Sequence, residues 1–190
     1  MDSGRGGNRE RQTPAGGGET AYVAPAGSSV AWCWKAGGAP TTDNTQNPGD
    51  AQTAGSVKKD GKNASFAQGT IAVKKMSVNT TAGFSIVEYQ GTGSAGTIPH
   101  GLEAIPEFAI FKRHDDTGSW EIYHKKVGNT KALQFTDAAE QAASSAYWDN
   151  LSPTSAFFSI GGGGNNNTLN EQVISYNWTP IKRYSKFNFY

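Results

Sequence analysis

The chain has 190 residues, enough for one domain with a real core or for one domain with a long irregular extension. Only 36% of the residues are hydrophobic, while glycine counts 24 and aromatics 11%, so an aromatic, packed part is diluted by polar linker. A net charge of +1 and a pI near 7.8 exclude strong whole-chain electrostatics, which leaves nucleic acid and anionic membrane out of the expected partners unless a local patch supplies the field.

Residues 1–28 are rich in Gly, Pro and Ala, with Arg5, Arg9 and Arg11 grouped near the start, and read as a flexible basic arm. The first 18 residues have no apolar segment of the signal-peptide kind, and no stretch is long and apolar enough for a bilayer-spanning helix. Five Asn-X-Ser/Thr triplets, at Asn63, Asn79, Asn150, Asn166 and Asn177, are then by-products of composition. Val30–Lys35 alternates, with Val30, Trp32 and Trp34 on one face, and is expected to be a strand whose Trp face is covered. Cys33, the lone cysteine, is read as a small buried thiol.

Residues 36–70 are turn-forming almost throughout and offer little to bury, so they are expected to be a polar linker, an arm lying on a neighbour, or a functional loop. Asp43, Asp50 and Asp60 do not have the spacing of a calcium loop. Ile71–Met76 alternates weakly and suggests a short edge strand guarded by Lys74 and Lys75.

From Asn79 to Phe135 short β-rich runs (84–89, 108–113, 120–126, 132–135) are separated by turn residues. Asp115-Asp116-Thr117-Gly118 predicts a tight antiparallel hairpin between two of them, with Phe108 and Trp120 in the core. Asp137–Ser145 is the one good helix former, a single short helix with only alanine on its face. Strands are expected again at 146–149, 155–160, 173–178 and 184–190, and the Gly161–Asn167 run is expected to be a mobile tip. Val30–Trp34 and Ile174–Trp178 share a branched-small-aromatic-variable-Trp pattern, an internal echo too short to prove duplication.

The segments 30–44, 79–113, 120–133, 148–161 and 184–190, with Gly91-Thr-Gly93, His100-Gly-Leu102, Tyr123-His124, Gly128-Asn-Thr130, Pro153-Thr-Ser155 and the Tyr184-Ser-Lys-Phe187 run, together resemble a module repeated in large virion proteins of marine tailed bacteriophages, including cyanophages. The chain departs from that pattern at Glu103, where glycine is common, at Lys126-Val127 and at Asn188-Phe189. The resemblance implies an all-β protein: an antiparallel β-sandwich of jelly-roll or lectin-like type in a tail, fibre or capsid-surface component of the virion. The expected organisation is a Gly-rich arm (1–28), a Trp-rich strand with a long polar loop (29–70), a sandwich domain (71–190) and one short helix.

His100, His114 and His124 lie near acidic and hydroxyl residues in sequence. However, no nucleophile elbow, HExxH or paired-carboxylate signature accompanies them, so no enzyme activity, catalytic residue, metal or cofactor is expected. Tyr and Trp beside Asn and Asp suit sugar stacking, and also interfaces and cores. Tyr123, Tyr147, Trp148 and His100 are the candidate ligand-binding residues, and Trp32, Trp34 and Trp178 the candidate interface.

Two functional classes stay open. One is a virion structural protein whose partners are copies of itself and other virion proteins. The other is a receptor- or glycan-binding module for the host surface. If the 36–70 loop finds its contacts on a neighbour, a homo-oligomer follows, and the fibre resemblance favours three-fold symmetry.

Overall fold

A computed structural model describes residues 33–114, 116–135, 137 and 140–188. The description below is of one compact unit, Trp34–Tyr190.

Its described residues form ten strands and one helix: β1 (Val57–Lys59), β2 (Lys62–Asn63), β3 (Val73–Asn79), β4 (Phe84–Gln90), β5 (Gly96–Pro99), β6 (Phe108–Arg113), β7 (Glu121–His124), β8 (Leu133–Gln134), α1 (Ser145–Trp148), β9 (Phe157–Ile160) and β10 (Gln172–Trp178). Eight strands form one sheet in the order β2-β1-β3-β4-β10-β6-β7-β8, and β5 pairs with β9 in a second. The protein is therefore all-β with two packed layers and one short helix. Its pairings are antiparallel except β1 with β3, which run parallel.

Strand alternation decides what lies between the layers. Val73, Met76 and Val78 of β3, Val87 and Tyr89 of β4, Phe111 of β6, Tyr123 of β7 and Val173 of β10 face inward, against Ile98, Phe158 and Ile160 of the small sheet and Trp148 of α1. Phe158 is the hub, with ring centroids 5.3 Å from Phe111, 5.0 Å from Tyr123 and 5.5 Å from Trp148, mostly edge-to-face.

Several expectations are corrected. Residues 36–70 are no free linker: β1 lies inside the large sheet, Val57 is fully buried, and β1 and β2 turn at Asp60 and Gly61, both with positive φ. That Asp-Gly pair is a hairpin signal that a polar context hid. The rest of the segment is held by side-chain bonds to its own unit, as where Asn44 Nδ2 donates to Val73 O (2.9 Å) and Gln52 Oε1 accepts from Phe66 N (2.7 Å). A domain boundary near 71 would cut this sheet.

For the same reason β3 is interior, not an edge guarded by lysines. The β6–β7 hairpin forms, over a loop wider than a tight turn. Of the helix expected at 137–145, residues 138 and 139 lie outside the described residues and 140–144 are not helical; the helix is at 145–148, where Ser144 caps it and Trp148 gives it a residue worth burying. Residues 33–35 form no strand, and the tail 184–188 none either. Cys33 is exposed. The arm 1–28 and Val30–Trp32 lie outside the described residues.

The Gly161–Asn167 run is packed, with Asn166 and Asn167 fully buried. Asn165 donates to Glu121 Oε1 through its backbone N–H (2.9 Å), and its Oδ1 accepts from Arg113 (3.0 Å). Asn166 Nδ2 donates to Tyr147 O (2.7 Å), and its carbonyl accepts from the Tyr89 hydroxyl. Asn167 Nδ2 donates to Ser94 O (2.7 Å) and Gly161 O (2.8 Å), and its Oδ1 accepts from Thr92 N (2.8 Å). Three successive amides thus tie one loop to β6, β7, α1 and the Gly91–Ser94 turn.

Candidate functional site

The outward side chains of the large sheet line up in cross-strand rows. Phe84, Trp178, Phe108 and His124 are register partners in the first. This row is roofed: Trp34 lies with its ring centroid 6.1 Å from Phe84 and 5.3 Å from Trp178, and Phe187 stacks on Phe108 at 5.6 Å. The second row is Ser77, Ile86, Tyr176, Ile110, Ile122 and Leu133, and the third begins Lys75, Glu88, Ile174 and Lys112. Trp120 and Phe135, one residue beyond the β7–β8 pairing, continue the third row with centroids 5.9 Å apart.

Whereas the inner face is buried under the small sheet, Ile86, Ile110, Leu133, Ile174 and Tyr176 stay half-exposed, and Trp120 and Phe135 are 38% and 63% exposed. The face is apolar at its centre and charged along one margin, the composition of a contact surface. Lys75 pairs with Asp43 at 2.9 Å, a bond that holds the Asp43 carboxyl below its usual range. Beside this margin a groove of about 440 Å³ opens between Ala36, Ala39 and Pro40 on one wall and Ile86 and Ile174 on the floor. The 36–40 segment is fixed over β3, because Gly37 N donates to Ser77 Oγ (3.0 Å) and Ser77 Oγ to Gly38 O (2.6 Å).

A second cleft, about 740 Å³, is lined by Lys35, Asp60, Asn79, Thr81, Ile181 and Tyr184. The Asp60 carboxylate accepts from Thr80 N (2.9 Å) and Thr80 Oγ1 (2.7 Å), while the Tyr184 ring is 65% exposed.

The residues expected to bind ligand lie mainly elsewhere. Trp148 is fully buried with its Nε1 donating to Lys131 O (2.8 Å), and Tyr123 is buried beside it, so neither ring has a face left for a sugar. Tyr147 is half-buried against the same core. His100 is fully buried: Nε2 donates to Thr154 O (3.1 Å) and Nδ1 accepts from Leu102 N (3.3 Å), and burial lowers its pKa to about 4. Trp148, Tyr123 and His100 belong to the interior because each lies on an inward face or under the second layer, which strand patterns alone cannot distinguish from the outer face, and Tyr147 stays partly exposed at the edge of that core.

Trp34 and Trp178 do meet, with Trp34 42% exposed and Trp178 buried, and Trp32 lies outside the described residues. Trp120, expected in the core, is on the open face instead. Among the described residues no group of three or more His, Cys, Asp or Glu could hold a metal ion. Ile86, Ile110 and Ile174 were missed as surface residues, although each alternates with an inward neighbour.

Fold and surface define a class: an all-β, two-layer protein whose large sheet leaves an apolar outer face open to contact. The chain belongs to the family described as Domain of unknown function (DUF7483), whose model matches residues 41–190. Among curated proteins and among solved structures, nothing matches the chain.

Proposed function

We propose that this is a structural component of a bacteriophage virion, in a tail, fibre or capsid surface, which assembles through the outer face of its eight-stranded sheet. The observation that carries the assembly reading is the half-exposed row Ile86, Tyr176, Ile110 and Leu133, extended by the exposed Trp120–Phe135 pair. An apolar row spanning several strands, left open in water, is an unfavourable surface for a lone domain and a favourable one for a neighbour to cover. The phage setting rests on the motif resemblance given above. The partners are copies of this chain and other virion proteins. The test is mass spectrometry of purified particles with cryo-EM localisation. The chain at stoichiometric abundance supports the proposal, and its absence from particles overturns it.

A glycan- or receptor-binding role is the second reading. The cleft at Tyr184 favours it, since an exposed aromatic ring beside Lys35, Asp60 and Thr81 combines stacking with hydrogen bonding. Binding to a glycan array that disappears in Tyr184→Ala would support that role; an array without signal would remove it.

A further inference from the structure

We infer that the outer face is covered by a second copy of this chain, in a two-fold dimer whose axis runs along β10 in the plane between the two sheets. The inference rests on the assembly reading and specifies its partner.

Self-complementarity carries it. An axis along β10 leaves height along the strands unchanged and exchanges the columns on either side of β10. Because β4 and β6 flank β10 directly, Glu88 then falls opposite Lys112 of the second copy, Ile86 opposite Ile110, and Ile174 and Tyr176 opposite their own equivalents. Opposite charges meet and apolar residues meet, as an isologous contact requires. Lys112 Nζ donates to the carbonyls of Arg113 and Asp116, which leaves one ammonium N–H for a partner carboxylate.

The next columns match in shape. β7 is exchanged with β3, which brings the exposed Trp120 of one copy to the groove of about 440 Å³ beside Lys75, Pro40 and Ile174 of the other. That volume accommodates an indole, and the Lys75 ammonium at its rim is placed to lie against the ring. Along the two open rows, two sheets packed this way are spaced about 10 Å or more apart with strands nearly aligned, as in a sandwich.

Area agrees as well. Six strands at roughly 4.8 Å spacing make a face about 24 Å wide. With its two open rows, and the Trp120 and Phe135 side chains that continue them, it offers on the order of 500 Å² per copy, so the pair buries about 1,000 Å², the lower limit for a specific interface. A reversible dimer is the expected result.

The full chain, studied by sedimentation equilibrium up to about 100 µM, should approach twice its 20.1 kDa mass. Glu88→Lys and Lys112→Glu should each weaken association about tenfold or more, and the two changes together should restore it, because the swapped charges meet again across the axis. In a Cys33→Ser background, a short bis-maleimide should join two copies through Ile174→Cys, because face-packed sheets about 10 Å apart are too distant for a direct disulfide, whereas Thr81→Cys should not be joined. Melting curves confirm that each variant is folded, since all these side chains lie on the surface or half-exposed. A monomer at about 100 µM overturns the inference, and so does a dimer indifferent to both charge reversals. A dimer of a chain absent from particles would remove the virion reading alone. A monomeric chain present in particles would remove the dimer alone, and so would one whose outer face covers a different virion protein there.

Discussion

Burial sets the ionisation of His100, with measurable consequences. Its ring is enclosed between Thr154 O and Leu102 N in the neutral form, and its folded pKa is about 4 against an ordinary 6.5. Between these values the unfolded chain takes up a proton that the folded one refuses, so stability falls as the pH is lowered from 6.5 to 4. Glu121, whose carboxyl is pushed up by burial, acts in the opposite sense, because the folded state then takes up its proton first as the pH falls. Comparison with His100→Gln isolates the histidine. The stability advantage of the native chain over this variant should shrink by about 3 kcal/mol between pH 7 and pH 4 in urea titrations; parallel pH profiles would show that the ring is not enclosed. A buried and an exposed tryptophan give a second contrast. Trp148→Ala should cost about 3–5 kcal/mol, and Trp120→Ala less than about 1 kcal/mol, as judged from thermal melts of dilute samples. Glu103, which departs from the glycine common in the resembling pattern, has a φ of 59°, which explains why glycine suits that position, and its side chain forms an ion pair with Lys59 at 2.5 Å that glycine could not make.

At the scale of elements, the Gly161–Asn167 loop is the joint that ties the layers together. Asn167→Ala removes the bonds of a fully buried amide to Ser94 O, Gly161 O and Thr92 N and should destabilise by about 2–4 kcal/mol in chemical denaturation. Within the same loop, Gly161 and Gly163 should respond differently to alanine. A Cβ on Gly161 would come within 2.1 Å of Ser145 O, a backbone atom that cannot yield, whereas one on Gly163 meets only Ala146 Cβ at 3.5 Å. Gly161→Ala should therefore lower the melting temperature sharply and Gly163→Ala leave it near the native value; equal shifts would mean that the loop is not packed as described. A run of Gly and Asn resembles linker in sequence because neither residue type signals a core. Here the glycines permit close approach and the amides supply the bonds, and both depend on partners far along the chain.

For the whole molecule, the position of β1 inside the large sheet makes residues 36–70 part of the fold. Deleting 36–69 should abolish cooperative unfolding observed by circular dichroism, because it removes Val57 from the core and exposes the edge of β3. A folded, cooperatively melting deletion variant would restore the linker interpretation. With these contacts met inside the unit, the loop gives no reason for a chain crossing onto a neighbour, and the open sheet face becomes the ground for expecting association.

Period-two alternation and turn residues were enough, from sequence alone, to give the all-β class, the runs that became β4, β6, β7, β9 and β10, and the β6–β7 hairpin, since these signals are local. The tertiary structure decided which side of each strand is covered. Alternation says that Tyr123 and Ile122 point to opposite faces, but not that the small sheet lies over Tyr123 and leaves the row of Ile110 and Ile86 open. It also decided that a polar stretch would supply an inner strand, second from the sheet's edge, because the place of β1 depends on pairing with β3 across the chain segment between them and not on its own composition. Two of the candidate sugar-binding aromatics, Tyr123 and Trp148, became core, and the open face was found elsewhere, because burial is a property of layers and layers are assembled from distant segments.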